Sequence, residues 1–270
     1  KFPGITVISN TQNLGFSRAR NQAIAMAHTL WDRGGVREDR LILVTNPDII
    51  LAPDCVAAMR RAILKDRQIG SCGGKLMKIS RASIASDGSI ASDMIDSTGL
   101  KILRTRRMVD RGAGEIDRGQ YDEPGEVFGI TGALVMYRMN ALEDVALPSG
   151  QLSNVSGQMF DEAQYLYKED VDLAWRLRLR GWQAWYEPTA VAYHYRGAYG
   201  SERRSLWQTV RERWAKPSRI NFFSARNHWL VLTKNEQWQN KLRHYPWIIS
   251  YELGKLIYLI LFEKKTLRAI

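Results

Sequence analysis

Short apolar runs alternate with amphipathic segments along most of the chain, and this alternation predicts an α/β fold with a mixed sheet. Strand-like runs are Ile5–Ser9, Leu41–Val44, Gly70–Ile79, Ser97–Leu103, Ala133–Tyr137, Trp182–Tyr186 and Ala190–Tyr195. Helical spacing is found at Arg18–His28 (with Ser17 as its N-cap), Pro53–Leu64, from about Glu169 to Gly181, Trp207–Trp214, Asn221–Thr233 and Pro246–Phe262. Leu41–Val44 is typical of a central parallel strand, and the last two strand-like runs suggest an antiparallel pair.

Polar and glycine-bearing stretches separate these elements. Ser80–Asp93 and Ser149–Gly157 are predicted to be loops, and Arg104–Glu126 is charged enough to be exposed.

Three carboxylates crowd the start of the helix that begins near Glu169. Asp170 shares a face with the apolar Leu173 and Leu177, so it is predicted at the mouth of the buried side. Asp172 lies one turn before Arg176 and is expected to pair with it at the surface. Either these acids only interact favourably with the helix dipole, or one of them is a functional carboxylate.

Two further candidate residues lie at or near the ends of predicted strands. Asp48, in Asn46-Pro47-Asp48, follows the carboxyl end of an apolar strand, where α/β sheets bind ligands. His194 lies near the end of the last strand. The alternatives are a turn aspartate and a packed, hydrogen-bonded histidine.

The first helix follows a turn that contains Asn13 and Gly15. A strand, a glycine turn and a helix start form a geometry that binds anions, although an ordinary strand-to-helix connection has the same pattern.

Length and cysteine content set broad limits. A chain of 270 residues holds one or two domains. Cys55 and Cys72 show no disulfide or metal spacing, which is compatible with a reducing compartment. No apolar run approaches the roughly 20 residues that a membrane-spanning helix needs.

Positive charge is concentrated in the last 70 residues. Of a net charge of +11, residues 201–270 hold 14 Lys and Arg against five Glu and no Asp, together with five of the nine Trp. We therefore predict two parts: residues 1–200 as an α/β domain and residues 201–270 as a basic aromatic helical extension that meets an anionic partner.

The last predicted helix, Pro246–Phe262, is suited to a membrane interface. One face carries Trp247, Tyr251, Gly254, Tyr258 and Leu261, and Lys264, Lys265 and Arg268 follow. The alternative is a helical cap that packs on the α/β domain.

Several motifs occur in a specific order: N-L-G-F-S-R-A-R-N-Q-A-I, N-P-D, G-I-T-G-A-L-V-M-Y-R, Y-K-E-D-V-D-L-A-W-R-L-R-L-R-G-W and E-P-T-A-V-A-Y-H-Y. Together they resemble the family-2 glycosyltransferases, which are inverting nucleotide-sugar enzymes, and most of all their rhamnosyltransferase-like branch. The resemblance covers about residues 5–197. It implies a GT-A-like (Rossmann-like) mixed sheet flanked by helices.

The resemblance also implies roles for individual residues. Asp170 would be the catalytic base, supported by Glu169 and Asp172, and Asp48 with His194 would hold Mg²⁺ or Mn²⁺. Asn46 stands where the family's D-x-D motif has its first acid, which leaves a weaker metal site. The donor would be bound by Asn13, Gly15, Arg18, Asn21, Asn46, Gly132 and Ala133.

The implied partners are a nucleotide-sugar donor such as dTDP-L-rhamnose, a glycan or lipid-linked acceptor, and an anionic membrane on its cytoplasmic face. Family members usually begin with a strand–helix–strand unit of about 50 residues, which is expected to be missing here. The alternatives are a basic nucleic-acid-binding module and an inactive transferase fragment. No recognisable RNA- or DNA-binding motif is present, so no nucleic acid is expected.

Overall fold

The computed structural model describes residues 4–34, 40–85, 88–148, 157–195 and 206–270. The strands are β1 Leu41–Thr45, β2 Ile49–Leu51, β3 Ile69–Lys78, β4 Ile95–Ser97, β5 Leu100–Ile102, β6 Met108–Asp110, β7 Gly125–Val127, β8 Leu134–Arg138 and β9 Gln183–His194. The helices are α1 Gly15–Arg33, α2 Cys55–Leu64, α3 Met139–Asp144, α4 Glu169–Leu179, α5 Leu206–Ala215, α6 Ser218–Asn235, α7 Trp238–Arg243, α8 Tyr245–Phe262 and α9 Lys264–Ala269, with a short 3₁₀ turn at Arg81–Ser83.

One seven-stranded mixed sheet organises the fold. Its order is β1-β8-β3-β9-β2, with β4 beside β3 and β7 beside β9, while β5 and β6 form a separate ribbon. Within this sheet β3 and β9 run parallel, and the other described pairs are antiparallel. The predicted α/β fold with a mixed sheet and a C-terminal helical region is confirmed.

Helices cover both faces of the sheet, and the side chains of β8 point alternately to one face and the other. Val135 and Tyr137 pack into the cluster that includes residues of α1, α3 and α4, whereas Leu134 and Met136 pack with α2. The prediction that Leu41–Val44 is a central parallel strand is wrong. It forms β1, which pairs antiparallel with β8 at the end of the sheet order and is half-buried.

The two predicted C-terminal strands are one continuous strand, β9, so the antiparallel pair is wrong. Conversely, the predicted strand Ser97–Leu103 is divided between β4 and β5 by a turn at Gly99, where φ is 108°. Arg104–Glu126 was expected to be exposed, yet it contains β6, and Arg106 is buried in a two-bond ion pair with Glu236.

A bulge interrupts β9 where it runs beside β3. Gly74 is opposite Glu187, but the next residue, Lys75, is opposite Val191, so three residues of β9 have no counterpart. The bulge presses on β3: a Cβ on Gly74 would lie 1.8 Å from the carbonyl oxygen of Ala190. Glycine is required there by lack of space.

The N-terminal prediction is also wrong. Residues 5–10 form no strand, and Ile5 and Val7 are 63% and 79% exposed, because no strand in the described ranges lies beside them to complete a ladder. Helix α1 begins at Gly15, and Ser17 is buried inside it rather than capping it, donating to the carbonyl oxygen of Gln164 at 2.7 Å.

The C-terminal helices contact the sheet region mainly through α6, which packs on α4. Helices α5, α6 and α8 confirm the predicted ones, whereas α7 and α9 were not predicted. No helix in the described ranges is both long and apolar enough to cross a membrane. The predicted loop at 80–93 is confirmed apart from its 3₁₀ turn, and its residues 86–87 lie outside the described ranges. Nearly all of the other predicted loop, Ser149–Gly157, also lies outside the described ranges.

Candidate active site

A pocket of about 570 Å³ opens beside the ends of β1 and β9 and the start of α4. Its wall contains Asp48, Asp170 and His194, which are far apart in the sequence. The predicted residues Asn46, Ala133 and Glu169 also line it. The structure therefore brings the three principal candidates to one site, while their roles stay predictions.

Asp48 and His194 face each other across paired strands. β2 pairs with the end of β9, which brings Nε2 of His194 to 3.5 Å from Oδ1 of Asp48. The other ring nitrogen, Nδ1, donates to Oδ2 of Asp96 at 2.7 Å, and Asp96 is buried on β4. Asp96 was not predicted, because no local pattern relates it to a histidine 98 positions away.

This pair has the chemistry of two metal ligands. Because Nδ1–H donates a hydrogen bond to the Asp96 carboxylate, Nε2 presents a lone pair on the side of Asp48, the arrangement that orients metal-binding histidines. A carboxylate is a suitable ligand for both Mg²⁺ and Mn²⁺, whereas an imidazole favours Mn²⁺, the transition-metal ion of the two. The described residues contain no group of three or more His, Cys, Asp or Glu side chains arranged for a metal, so the fit is to a two-ligand site.

Asp170 is held in one orientation by main-chain donors. Its Oδ2 accepts from the N–H of Gly132 and its Oδ1 from that of Val171, each at 2.8 Å. A Cβ on Gly132 would lie 3.1 Å from both the Asp170 Cβ and Arg20, so glycine allows the close approach. The carboxylate is half-buried and reaches the pocket.

The turn before α4 has an unusual backbone. Tyr167 and Lys168 are consecutive residues with φ of 68° and 71°, in the left-handed region that costs free energy for residues with a Cβ. Asn227 of α6 is fully buried and donates from Nδ2 to the carbonyl oxygens of Leu166 and Tyr167, both at 2.8 Å. The C-terminal region thus fixes the turn that aims Asp170.

Glu169 is a buried acid beside Asp170. Its Oε1 accepts from Arg20 at 3.1 Å, and its Oε2 has no hydrogen-bond partner among the described residues. Burial, reinforced by the neighbouring Asp170, raises the pKa of Glu169 to about 7 against the opposing charge of Arg20. This carboxyl therefore titrates near neutral pH.

Arg20 joins three segments of the site. Besides Glu169, it donates to Oδ1 of Asn46 at 3.1 Å and to the carbonyl oxygen of Gly132 at 2.9 Å. Arg18 was predicted among the donor-binding residues, with a nearby arginine as an alternative, and Arg20 was not named. The missed signal is spacing: Arg20 shares a helical face with the buried Ser17 and Ile24.

Gly132, another predicted donor residue, does not line this pocket, although its N–H donates to Asp170. Four more predicted donor residues do not line it either, and two of them shape the start of α1. Oδ1 of Asn13 accepts from the N–H of Gly15 at 2.9 Å. Gly15 has a φ of 77°, and a Cβ there would lie 2.5 Å from the carbonyl oxygen of Tyr165. Because that oxygen also accepts from Phe16, these main-chain donors are already used, and the donor role of both residues stays a prediction.

The other two lie further along α1. Asn21 forms a pair of hydrogen bonds with the main chain of Phe160, both at 2.8 Å, which anchors the segment that follows. The Arg18 side chain is 42% exposed, with Glu162 4.0 Å away. Their donor role also stays a prediction.

The expected pairing of Asp172 with Arg176 is confirmed at 2.8 Å, but its expected position at the surface is wrong. The Asp172 side chain is 1% exposed, because α6 covers it and Asn235 donates to its second oxygen at 2.8 Å.

Sequence comparison identifies the class of protein to which this fold and pocket belong. Residues 1–216 match the family described as glycosyltransferase like family 2, so the chain belongs to that family. This confirms the family resemblance seen in the motifs.

Among curated relatives, the chain is similar to N-acetylglucosaminyl-diphospho-decaprenol L-rhamnosyltransferase of Mycobacterium tuberculosis, in strains CDC 1551 / Oshkosh and ATCC 25618 / H37Rv. The identity is 26% over 207 residues, covering 73% of this chain and 60% of the relative. A crystal structure of GalNAc-T7 with UDP, GalNAc and Mn²⁺ aligns with a TM-score of 0.48 and 12% identity, covering 74% of this chain and 33% of that one.

Proposed function

We propose that this chain is an inverting glycosyltransferase that moves a sugar from a nucleoside-diphosphate donor to a glycan or lipid-linked saccharide. The observation that supports it most is the meeting of Asp48, Asp170 and His194 on the wall of one pocket. Family membership makes glycosyl transfer the natural chemistry for that pocket.

In the proposed reaction, an acceptor hydroxyl oxygen forms a bond to the anomeric carbon as the bond to the donor diphosphate breaks. The hydroxyl proton passes to a carboxylate oxygen of Asp170, and the nucleoside diphosphate leaves with the bonding electrons. Main-chain donors from Gly132 and Val171 orient that carboxylate. Glu169, the preceding residue of α4, accepts a hydrogen bond from Arg20, which supports the start of that helix.

Asp48 and His194 are the proposed ligands of Mn²⁺ or Mg²⁺. A bound ion would supply positive charge to the departing diphosphate. Two protein ligands leave most of the coordination shell to water and phosphate oxygens, so we expect ion and donor to bind together.

The donor sugar is proposed to be a deoxyhexose such as L-rhamnose, carried as dTDP-L-rhamnose. Support comes from the similarity to the mycobacterial L-rhamnosyltransferase. The chain spans about 60% of the length of that relative. That the chain uses the sugar named for the relative is therefore a proposal.

The proposed place of action is the cytoplasmic face of an anionic membrane. The apolar stripe of α8, defined as Leu253, Leu256, Ile257, Ile260 and Leu261, is exposed, and Lys264, Lys265 and Arg268 follow on α9. The expected face was only partly right: Trp247 and Leu261 are exposed, but Tyr251 packs against His228 and Tyr258 against Phe262.

A thermal-shift screen tests the proposed activity. The protein is mixed with dTDP-L-rhamnose, UDP-glucose, UDP-N-acetylglucosamine and GDP-mannose, each with Mn²⁺ and with a chelator. Binding to the folded state raises Tm, so one donor should raise it, and more with the ion than without. The donor selected is then used in a transfer assay. If no nucleotide sugar raises Tm or donates its sugar, the proposed function is wrong.

A further inference from the structure

Arg20 connects two segments that the proposed mechanism uses. Its side chain is 12% exposed and lines the pocket together with Asn46 and Glu169. Asn46 follows β1 and is two residues before Asp48, the proposed metal ligand. Glu169 comes directly before Asp170, the proposed base, at the start of α4. The donor end of the pocket and the base therefore meet at one guanidinium.

That guanidinium holds an acceptor from each of three segments. Nη1 donates to Oε1 of Glu169 at 3.1 Å. Nη2 donates to Oδ1 of Asn46 at 3.1 Å and to the carbonyl oxygen of Gly132 at 2.9 Å. Because a guanidinium is planar and its N–H groups point in fixed directions, the three acceptors are held in fixed positions relative to one another.

Two aromatic rings restrict the Arg20 side chain further. Its Cζ lies over the rings of Phe16 and Phe160, 5.0 and 5.4 Å from the centroids. Phe160 is fully buried in the core, so one of these contacts is with a fixed part of the protein. Cation–π contacts of this kind add to the hydrogen bonds in holding the guanidinium in place.

Gly132 connects Arg20 to the carboxylate of Asp170. Its carbonyl oxygen accepts from Arg20, and its N–H donates to Oδ2 of Asp170 at 2.8 Å. A Cβ on Gly132 would lie 3.1 Å from both Nη1 of Arg20 and Cβ of Asp170, so both side chains pack on this glycine. Loss of the guanidinium would therefore release two neighbours of the base, Gly132 and Glu169.

We propose that Arg20 is a positioning residue, which acts through Gly132 and Glu169 to fix Asp170 relative to the donor end of the pocket. In this role Arg20 does not contact the substrates. It sets where the base lies with respect to the anomeric carbon, and a misplacement of about 1 Å costs on the order of 10²-fold in rate. This assignment rests on the proposed function and adds a residue to its machinery.

Two substitutions of Arg20 separate its charge from its geometry. Arg20→Lys keeps the positive charge but supplies one compact ammonium, which cannot hold three acceptors in fixed directions. Arg20→Met removes the charge and all three hydrogen bonds but keeps an unbranched apolar side chain between the two phenylalanines. Arg33→Lys, an exposed change at the end of α1, is the matched control. Melting curves check that each variant is folded.

The kinetic test uses the donor selected by the thermal-shift screen. We expect kcat to fall about tenfold or more in both Arg20 variants, while donor affinity, measured by calorimetry with Mn²⁺, stays within about twofold. Arg33→Lys should match wild type. In an Asp170→Asn background, adding Arg20→Lys should lower kcat by less than about twofold, because no base is left to position and residues that act as a unit are not additive.

The contact with Glu169 has a readout that needs no substrate. Burial and the charge of Asp170 raise the pKa of Glu169 to about 7, and the charges of Arg20 and Lys168 oppose that rise. In Arg20→Met this pKa should therefore lie higher than in wild type. The pH range over which Glu169 lowers the free energy of unfolding should move upward, as followed by urea unfolding against pH.

Four results would each overturn the positioning role. These are an unchanged kcat in both Arg20 variants, a donor affinity that falls as much as kcat, an equal loss of kcat with and without the Asp170 carboxylate, and an unmoved titration of Glu169 in Arg20→Met. The second would make Arg20 a donor-binding residue, and the third would make its role general to the fold.

The same variants distinguish this proposal from the proposed function. A protein that needs Asp170 for transfer but tolerates Arg20→Met would disprove the role of Arg20 alone. Full turnover in Asp170→Asn would disprove the base itself, and the role of Arg20 with it.

Discussion

The side-chain amide of Asn227 donates to the carbonyl oxygen of Tyr167 at 2.8 Å, and so ties α6 to the strained turn before α4. The same Nδ2 also reaches the carbonyl of Leu166. Two left-handed residues persist only where their surroundings hold them, and here the support comes from 60 positions further along the chain.

Asn227→Ala should therefore misplace Asp170 without touching the donor. We expect kcat to fall about tenfold or more and the donor KM to stay within about twofold, because positioning is lost rather than binding. Removing two buried hydrogen bonds should also lower the free energy of unfolding by about 2 kcal/mol. The measurements are steady-state kinetics and urea unfolding.

Asn240→Ala is the matched control, because Asn240 is exposed on α7. It should leave both quantities unchanged. A loss of stability in Asn227→Ala with full kcat would mean that the turn does not aim the base.

Asp170→Asn tests the base itself. The amide keeps the shape of the side chain but cannot take the proton, so transfer should fall by about 10³-fold, as for loss of a general base. Donor affinity, measured by calorimetry with Mn²⁺, should stay within about twofold. Asp32→Asn, an exposed change at the end of α1, serves as the control. Near-normal turnover in Asp170→Asn would assign the base elsewhere.

Asp96→Asn tests the metal pair. Without the carboxylate, Nδ1 of His194 loses its charged acceptor, and such outer partners usually contribute about 10- to 100-fold to metal affinity. We expect Mn²⁺ affinity, followed by electron paramagnetic resonance in the presence of dTDP, to fall within that range. His194→Ala should weaken it further. Unchanged Mn²⁺ binding in both variants would exclude His194 as a ligand.

Glu169 should make stability depend on pH. Its folded-state pKa is about 7, against 4.5 for an ordinary Glu, so the folded protein holds an extra proton between those values. This contribution is complete below pH 4.5 and is lost as the pH rises to 7. The loss is about 3 kcal/mol, because one pKa unit corresponds to about 1.4 kcal/mol.

The measurement is urea unfolding of wild type and Glu169→Gln at pH 5 and pH 8. Relative to the variant, wild type should be less stable at pH 8 than at pH 5. Glu123→Gln, an exposed change, should track wild type at both pH values. A constant difference between wild type and Glu169→Gln across this range would show that Glu169 is ionised throughout.

The apolar stripe of α8 predicts membrane binding. Leu253→Glu combined with Ile257→Glu should reduce sedimentation with anionic vesicles at least tenfold, because both side chains are more than half exposed and would enter the interface. Val56→Glu, on an exposed apolar position of α2, should have no effect. Salt-sensitive binding to RNA without binding to vesicles would favour the nucleic-acid module instead.

The sequence predicts well what depends on local pattern. Strand ends and helix starts placed Asp48, Asp170 and His194, and spacing four apart paired Asp172 with Arg176. Burial of that pair was missed because Asn235, 63 positions away, covers it. Asp96 and Asn227 were missed for the same reason.

Local pattern also misled where a neighbour decides the structure. Ile5–Ser9 has the composition of a strand, but a strand needs a hydrogen-bonding partner, which the described ranges do not provide. The two β segments around Pro188 looked separate, because a proline within a strand usually marks an end; the bulge accommodates it instead.

The bulge in β9 acts as a phase shift. Before it, Tyr186 points to the face of α4; after it, Ala190 and Ala192, which are also even-numbered, point to the face of α2. An odd number of extra residues sends the even-numbered side chains to the opposite face of the sheet, and so to the other layer of helices. A chain lengthened or shortened there by a single residue would turn the imidazole of His194 away from Asp48.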